Sequence, residues 1–355
     1  MRHAIINTAL LCVAAGVSIV GLAQGSRIFS QPALVKGSPT NLGSFDVSWN
    51  DNAKQRYYFS DRTNNAIDLV DSATDTFLGF IGKGHYTGAR VCPGTRDARH
   101  CAGPNGVVTD NLGHLWAGDG EGNIIEADGT KPGTTIIRSI PTGGKFRVDE
   151  MAYDPVDQIL MVSDDGDSPP ILTFISVQDG SVLGHYTYPV GQDGMEQSAW
   201  VSQTGFFYQN VPGDKNRIDV FDPHKLPNPI KSFPVKCSGG LIGLTVSGLT
   251  VGPEGRLMTV CGSVGGVSVD PMTGQLGKNI PEGADADEVW YDSGSNNYYF
   301  SRPGANQGVA VVNADTEKLT DNIPVPGHSV AANARNKHVF IPAAGKGIFV
   351  AVPQR

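Results

Sequence analysis

The sequence predicts an all-β fold, a seven-bladed β-propeller with four antiparallel strands per blade. Three observations predict it: a composition rich in turn residues, a strand motif that recurs seven times, and no long segment with helical apolar periodicity. The chain holds 45 Gly and 23 Pro, and charged residues make up only 17% of it. That composition is typical of short strands separated by many turns.

The clearest repeat is a short strand-like run that ends in a turn. It occurs as RYYFSD (56–61), HLWAGD (114–119), ILMVSD (159–164), GFFYQN (205–210), RLMTVC (256–261), NYYFSR (297–302) and HVFIPA (338–343). A further strand-like run follows each of these, and most then continue through a polar turn into an outer strand. One such unit cannot bury both of its faces alone, so radial packing of seven units predicts a propeller. A pair of β-sandwiches is the competing architecture, but it would not require one repeat throughout the chain.

The two ends of the chain are expected to close the ring. The seventh unit lacks an outer strand of its own, and segment 27–35, RIFSQPALV, is left over at the other end. We expect this N-terminal strand to pair there, with a disordered segment as the alternative.

The first residues have the parts of a secretory signal peptide. Arg2 and His3 precede an apolar run over residues 4–23, and small residues suit cleavage near residue 25. We therefore assign residues 1–25 to a signal peptide and residues 26–355 to a single propeller domain. The protein is expected to be secreted or periplasmic, without stable membrane insertion after cleavage. An uncleaved membrane anchor is the alternative, since such a run could just span a bilayer.

Four cysteines remain after cleavage, which in an exported protein indicates two disulfides. Proximity in sequence suggests that Cys92 pairs with Cys101 and that Cys237 pairs with Cys261, although other connectivities stay open. A zinc site is a weaker alternative, because no paired CxxC spacing is present. The formal net charge of −8 argues against a nucleic-acid partner. We expect a monomer whose partner is a small molecule.

Polar residues are predicted to form a ring at one mouth of the central channel. Aligning the innermost strands by their apolar pattern places at their starts Phe45 or Asp46, Asn105, Asp149, Glu196, Ser247, Asp287 and His328. Strand propensity does not favour such residues. Converging carboxylates need raised pKa values or a cation, and oxygen ligands suit Ca²⁺ or Mg²⁺, with Zn²⁺ possible through His328. The alternative is that these side chains only cap strand starts.

Two further features could contact a ligand. Arg62 and Arg302 follow second strands on the same face, where their guanidinium groups could orient a substrate carboxylate. The insertion at residues 84–103, stapled by its predicted disulfide, would cover the edge of the ring. The neighbouring Asp-Glu pairs at 149–150 and 287–288 leave open which member faces the axis.

The motifs resemble two groups of propellers. The segment YYFSDRTNNAIDLVDSATDTFLGFI resembles the YncE-like propellers, and GPNGVVTDNLGHLWAGDGEGNI resembles the gluconolactonase, regucalcin and strictosidine-synthase-like group. The second resemblance implies a divalent metal at the mouth that polarises an ester carbonyl and activates water. By the motif match, Asn105 would be a ligand. Asp149 and Asp287, at equivalent strand starts in other blades, would be carboxylate ligands, with Glu196 a further candidate. This chain departs from that group at Phe45-Asp46, where the family has an opening Glu, and in its blade count, since many members have six.

Two functions follow as hypotheses. The leading one is a lactonase-like, metal-dependent hydrolase of a small ester or lactone, in which His328 acts as general base or as a further ligand and Glu196 is also a catalytic candidate. The second is a non-catalytic YncE-like propeller that binds a small molecule, a metal or a cell-envelope partner on the same face. The sequence leaves open whether the protein is an enzyme.

Overall fold

A computed structural model of the chain shows a seven-bladed β-propeller, which confirms the predicted fold class. The structure describes residues 28–92, 98–192, 194–213, 215–236, 245–304 and 307–354. The predicted signal peptide, residues 1–25, and the first two residues of the predicted domain lie outside the described residues. Within the described ranges, no helix has the length and apolarity that crossing a membrane requires.

Each blade is a four-stranded antiparallel sheet, with its strands in chain order from the channel outward in blades 1 to 6. Blade 1 contains β2 (Ser48–Asp51), β3 (Arg56–Asp61), β4 (Ala66–Asp71) and β5 (Thr76–Ile81). Blade 2 contains β6 (Val107–Thr109), β7 (His114–Gly118), β8 (Asn123–Asp128) and β9 (Ile136–Pro141). Blade 3 contains β10 (Met151–Asp154), β11 (Ile159–Asp164), β12 (Ile171–Ser176) and β13 (Val182–Thr187).

The remaining blades follow the same plan. Blade 4 contains β14 (Ser198–Val201), β15 (Phe206–Val211), β16 (Arg217–Phe221) and β17 (Lys231–Pro234). Blade 5 contains β18 (Val246–Val251), β19 (Leu257–Cys261), β20 (Gly266–Val269) and β21 (Leu276–Ile280). Blade 6 contains β22 (Glu288–Asp292), β23 (Asn297–Arg302), β24 (Gly308–Asn313) and β25 (Lys318–Ile323). Blade 7 contains β26 (Ala331–Asn333), β27 (His338–Ala343) and β28 (Gly347–Ala351).

The outer strand of blade 7 comes from the other end of the chain, in agreement with the predicted closure of the ring. Strand β1 (Ala33–Leu34) pairs antiparallel with β28, with Ala33 opposite Val350. An isolated bridge between Phe29 and Pro353 extends this pairing. The two ends of the chain are thereby held in one sheet.

Five short 3₁₀ turns complete the described secondary structure: Ala98–Cys101, Pro223–Lys225, Pro253–Gly255, Gly262–Val264 and Pro281–Gly283. Many of the tight turns between strands depend on an aspartate. In blade 2, Asp110 Oδ1 accepts hydrogen bonds from the backbone N–H groups of Leu112, Gly113 and His114, at 2.8 to 2.9 Å. Such side chains supply the partners that turn backbone would otherwise lack.

The hydrophobic core is divided among the interfaces between neighbouring blades. Between blades 1 and 2, for example, Tyr58 and Leu69 pack with Leu115 and Ala117, and all four are fully buried. Each sheet buries both faces in this way, which leaves the innermost strands to enclose a channel along the axis.

The predicted ring residues come mostly from the segments that enter the channel just before the innermost strands. Strand β10 begins at Met151, after Asp149, and β14 begins at Ser198, after Glu196. In these two blades the innermost strand therefore begins two residues after the predicted start.

Candidate functional site

Charged and polar side chains from five blades meet at the channel mouth. We call this group the mouth network; its members are Asp46, Arg62, Asn105, Arg147, Asp149, Asp165, Asp287 and His328. Five of the eight were predicted ring residues, and Arg62 was a predicted rim residue. The structure therefore brings distant parts of the chain together at the predicted place.

Backbone packing also holds the mouth together. A Cβ atom at Gly106 would lie 1.8 Å from the carbonyl oxygen of Asp149, so only glycine lets these two entering segments touch. The preceding residue, Asn105, is fully buried and donates from Nδ2 to the carbonyl oxygen of Val148 at 3.1 Å.

Arg62 lies at the centre of one half of the network. Its side chain follows β3, is 1% exposed and forms an ion pair with Asp46. Its Nε donates to Asn105 Oδ1 at 3.0 Å, and its Nη1 donates to the carbonyl oxygen of Phe45 at 3.2 Å. The guanidinium group predicted to hold a substrate thus binds the protein itself, and it occupies the amide oxygen predicted to hold a metal.

His328 lies between two carboxylates. Its Nε2 is 2.9 Å from Asp46 Oδ1, and its Nδ1 is 2.5 Å from Asp287 Oδ2. Burial alone would lower the pKa of His328, but the two carboxylates raise it well above the ordinary 6.5. Burial would raise the pKa of Asp287, and His328 outweighs it and lowers that pKa. The imidazole then carries both protons, and in that form it has no acceptor nitrogen for general-base catalysis.

Arg147 organises the other half of the network, and sequence reasoning missed it. Its Nη2 is 2.8 Å from Asp149 Oδ2 and also contacts Asp165. Burial raises the pKa of Asp149 to about 7, although Arg147 opposes the shift. The available signal was the position of Arg147 two residues before a predicted ring residue.

The insertion at residues 84–103 contacts the mouth through its described parts. The backbone N–H of Arg147 donates to the carbonyl oxygen of His100 at 2.7 Å. The predicted disulfide between Cys92 and Cys101 is present, and residues 93–97 lie outside the described residues. Cys261 is buried and disulfide-bonded, whereas Cys237 lies outside the described residues, so the pairing of Cys237 with Cys261 stays a prediction.

The remaining predicted site residues have different surroundings. The carboxylate of Glu196 has no hydrogen bond or ion pair in the described part of the chain, and burial together with Asp165 and Asp287 raises its pKa well above 4.5. The hydroxyl of Ser247 donates to the carbonyl oxygen of Ala286 at 3.2 Å.

Arg302, the second arginine predicted to bind a substrate, folds back onto its own blade. Its Nε donates to the carbonyl oxygen of Gly308 at 3.0 Å, and its Nη2 donates to that of Gln307 at 2.9 Å. The same guanidinium also reaches the carbonyl oxygen of Glu282 and the side chain of Asn322. These bonds use most of its donors.

The predicted metal ligands do not form a ready-made cation cage. Asn105 accepts from Arg62, Asp149 is paired with Arg147, and Asp287 is paired with His328. A metal site built from protein side chains needs at least three His, Cys, Asp or Glu residues whose ligand atoms lie close together. Within the described ranges, one group meets this condition: Asp110, His114 and Glu126 in blade 2.

Two members of that blade 2 group already bind protein partners outside the group. Glu126 pairs with Arg138, and Asp110 Oδ2 accepts from Trp116 Nε1 at 3.0 Å. A metal ion at the mouth therefore stays a prediction. The blade 2 cluster is not proposed as the metal site in its place.

Below the mouth, a cavity of about 350 Å³ runs between the innermost strands of blades 1 to 6. We call it the channel cavity. Its walls carry five partly buried aromatic side chains: Trp49, Tyr153, Trp200, Trp290 and Tyr291. Trp49 and Trp290 meet edge to face, with ring centroids 5.5 Å apart. Sequence reasoning missed these aromatics, although they recur near the ends of the aligned innermost strands.

Glu150 is the acidic residue among those lining the channel cavity. In the described part of the chain its carboxylate has no hydrogen bond or ion pair. Burial raises its pKa well above 4.5, and Asp149, Glu288, Asp46 and Glu196 raise it further. The two acids of this Asp-Glu pair thus lie in different places: Asp149 is at the mouth, and Glu150 lines the channel cavity.

Comparison with solved structures supports the fold and no more. A chain in a crystal structure of the mitotic checkpoint complex is similar over 99% of this chain and 100% of its own length, with a TM-score of 0.69 and 13% identity. The WD40 β-propeller domain of Doa1 is similar over 93% of this chain and 98% of its own length, with a TM-score of 0.66 and 15% identity. No family model matches the sequence, and no curated protein matches it either. Identities this low establish a propeller and leave its function open.

Proposed function

We propose that this protein is a non-catalytic propeller that binds a small organic molecule in its channel cavity. The observation that carries the proposal is the cavity itself. Its volume of about 350 Å³ lies within the ~300–1,000 Å³ common for small-molecule sites. Mostly apolar and aromatic walls with few polar groups are also usual for such sites.

The mouth network supports binding over hydrolysis. Metal-dependent hydrolysis needs ligand atoms directed at an ion and a base with a free acceptor. Here Asn105 and Asp149 are engaged by arginines, and His328 lies between two carboxylates that raise its pKa well above 6.5 and so favour the protonated form. The predicted signal peptide and the disulfide between Cys92 and Cys101 support a secreted or periplasmic location.

Blocking the cavity tests the proposal. Ser198 lines the cavity, and its hydroxyl has no hydrogen-bond partner in the described part of the chain. Ser198→Phe should fill the space, whereas Ser202→Phe, on an exposed turn, is the matched control. We expect 2-phenylethanol and 2-phenylethylamine to alter tryptophan fluorescence saturably in the wild type and in the control, and Ser198→Phe to weaken binding by about tenfold or more. Equal binding to both variants, or no saturable binding to the wild type, would contradict the proposal.

A metal-dependent, lactonase-like hydrolase is the second candidate. It is favoured by the unpartnered carboxylate of Glu196 and by the pKa of about 7 at Asp149, a value suited to general-base catalysis. Metal analysis of the purified protein and a panel of esters and lactones with added Ca²⁺, Mn²⁺ or Zn²⁺ separate the two functions. Turnover that Glu196→Gln abolishes would establish the hydrolase and overturn the non-catalytic proposal.

A further inference from the structure

The channel cavity joins one unpaired carboxylate to several aromatic rings. Glu150 lies directly before β10, and Tyr153 lies three residues further along the chain. At ~3.3 Å per residue, the acidic and aromatic parts of this wall are separated by about 10 Å. A ligand that contacts both would therefore be elongated and would have two chemically different ends.

The charge of the cavity favours a cation. Of the residues that line it, none is Lys, Arg or His. The nearby cations cannot neutralise Glu150, because Arg62, Arg147 and His328 each bind other carboxylates of the mouth network. Four neighbouring acids raise the pKa of Glu150 further, so its electrostatic surroundings are negative.

The walls favour an organic cation over a metal ion. A hard metal ion requires several oxygen ligands, but the side-chain oxygen of Gln197 already accepts from the backbone N–H of Leu249 at 2.8 Å. Tryptophan and tyrosine faces instead attract ammonium groups and also pack against apolar ligand bodies. Trp49 is held in place by a hydrogen bond from its Nε1 to Thr109 Oγ1 at 3.0 Å, so part of this aromatic wall is preformed.

We infer that the ligand of the channel cavity is an organic ammonium ion whose charged group lies beside Glu150 and whose apolar body contacts the aromatic wall. This inference rests on the proposed binding function and names the chemical class of the ligand. Glu150 would select the charge, and the aromatic side chains would supply most of the contact area.

Matched probes test the inference on the whole protein. Calorimetry would compare 2-phenylethylamine and benzyltrimethylammonium with neutral 2-phenylethanol and anionic phenylacetate. We expect both cations to bind about tenfold or more tightly than the alcohol, and phenylacetate to bind weakest. Glu150→Gln should reduce the affinity for the cations to that for the alcohol. Glu317→Gln, which removes an acid from the turn between β24 and β25, is the control and should retain the preference.

The outcomes separate this inference from the proposed function. Equal affinity for the cations and the alcohol would overturn the ammonium assignment and leave a binding channel in place. Failure of every probe to bind would overturn both. The comparison of probes on the wild type does not depend on a variant, so it decides the question even if Glu150→Gln folds poorly. A cation preference that survives in a folded Glu150→Gln would remove Glu150 from the site.

Discussion

The mouth network and the channel cavity are adjacent, yet their carboxylates differ in whether a cation is paired with them. At the mouth, Asp46 has both Arg62 and His328 as partners. In the cavity, Glu150 has no partner in the described part of the chain. Burial acts on both carboxylates, but the cations at the mouth lower the pKa of Asp46, whereas acidic neighbours raise that of Glu150.

This difference indicates which region is structural and which can receive a ligand. A buried ion pair that is complete within the protein holds segments together and gains little from an added ion. An unpaired carboxylate on the wall of a cavity is destabilising until a cation reaches it. Most of the predicted site residues therefore lie in paired groups at the mouth, whereas Glu150, on the wall of the channel cavity, has no partner in the described part of the chain.

Removing the central cation of the mouth should have the largest effect on stability. We expect Arg62→Met to lower the free energy of unfolding by about 3–5 kcal/mol, because Asp46 would lose its buried ion pair with Arg62 and keep only His328 as a partner. Urea denaturation measures the change. Arg56→Met is the control, since the more exposed pair of Arg56 with Asp71 should contribute less than ~1 kcal/mol. Similar losses in the two variants would show that the mouth network is no more structural than a surface pair.

Replacing the imidazole should have an intermediate, pH-dependent effect. The pKa of His328 in the folded protein is raised well above 6.5, so its contribution is full below the ordinary pKa and is lost as pH rises through the folded pKa. We expect His328→Gln to cost about 2 kcal/mol near pH 6. The gap between variant and wild type should narrow at alkaline pH. A gap that does not change with pH, measured by denaturation across that range, would contradict a protonated His328.

Removing the unpaired acid of the cavity should have the smallest effect and the opposite sign. Because the pKa of Glu150 is raised in the folded protein, wild-type stability should fall as pH rises from the ordinary value towards the folded one. The groups that raise it are Asp149, Glu288, Asp46 and Glu196. Without ligand, Glu150→Gln should gain about 1 kcal/mol near pH 8 and close to nothing near pH 4. A loss of stability at pH 8 would indicate a partner that Glu150 needs, and would weaken the comparison.

Much of the fold could be predicted because it depends on patterns within each repeat. The apolar runs and turn residues in RYYFSD and its six counterparts correspond closely to the second strands, and the leftover segment at 27–35 contains β1. The mouth was predictable for the same reason, since equivalent positions in different blades meet at one end of an axis. Aligning the innermost strands was therefore enough to predict that Asp149, Asp287 and His328 lie around one channel mouth.

The pairing of those side chains could not be predicted in the same way. Arg62 was interpreted as a ligand contact, because the sequence does not show that Asp46 and Asn105 lie within reach of its guanidinium group. The aromatic residues of the channel cavity resemble ordinary strand residues in the sequence, and only their convergence from different blades shows a wall. The packing of the entering segment also decides which residue of the pair Asp149 and Glu150 lies at the mouth.

The sequence by itself determined the seven repeats, the four-stranded blades and the concentration of acids at one end of the innermost strands, because each follows from local propensity and periodicity. The tertiary structure decided which carboxylates are paired with a cation, such as Asp46, and which are not, such as Glu150 in the described part of the chain. Ion pairing depends on distances of a few ångströms between residues hundreds of positions apart, such as Asp46 and His328. Those distances exist only after the blades have closed into a ring.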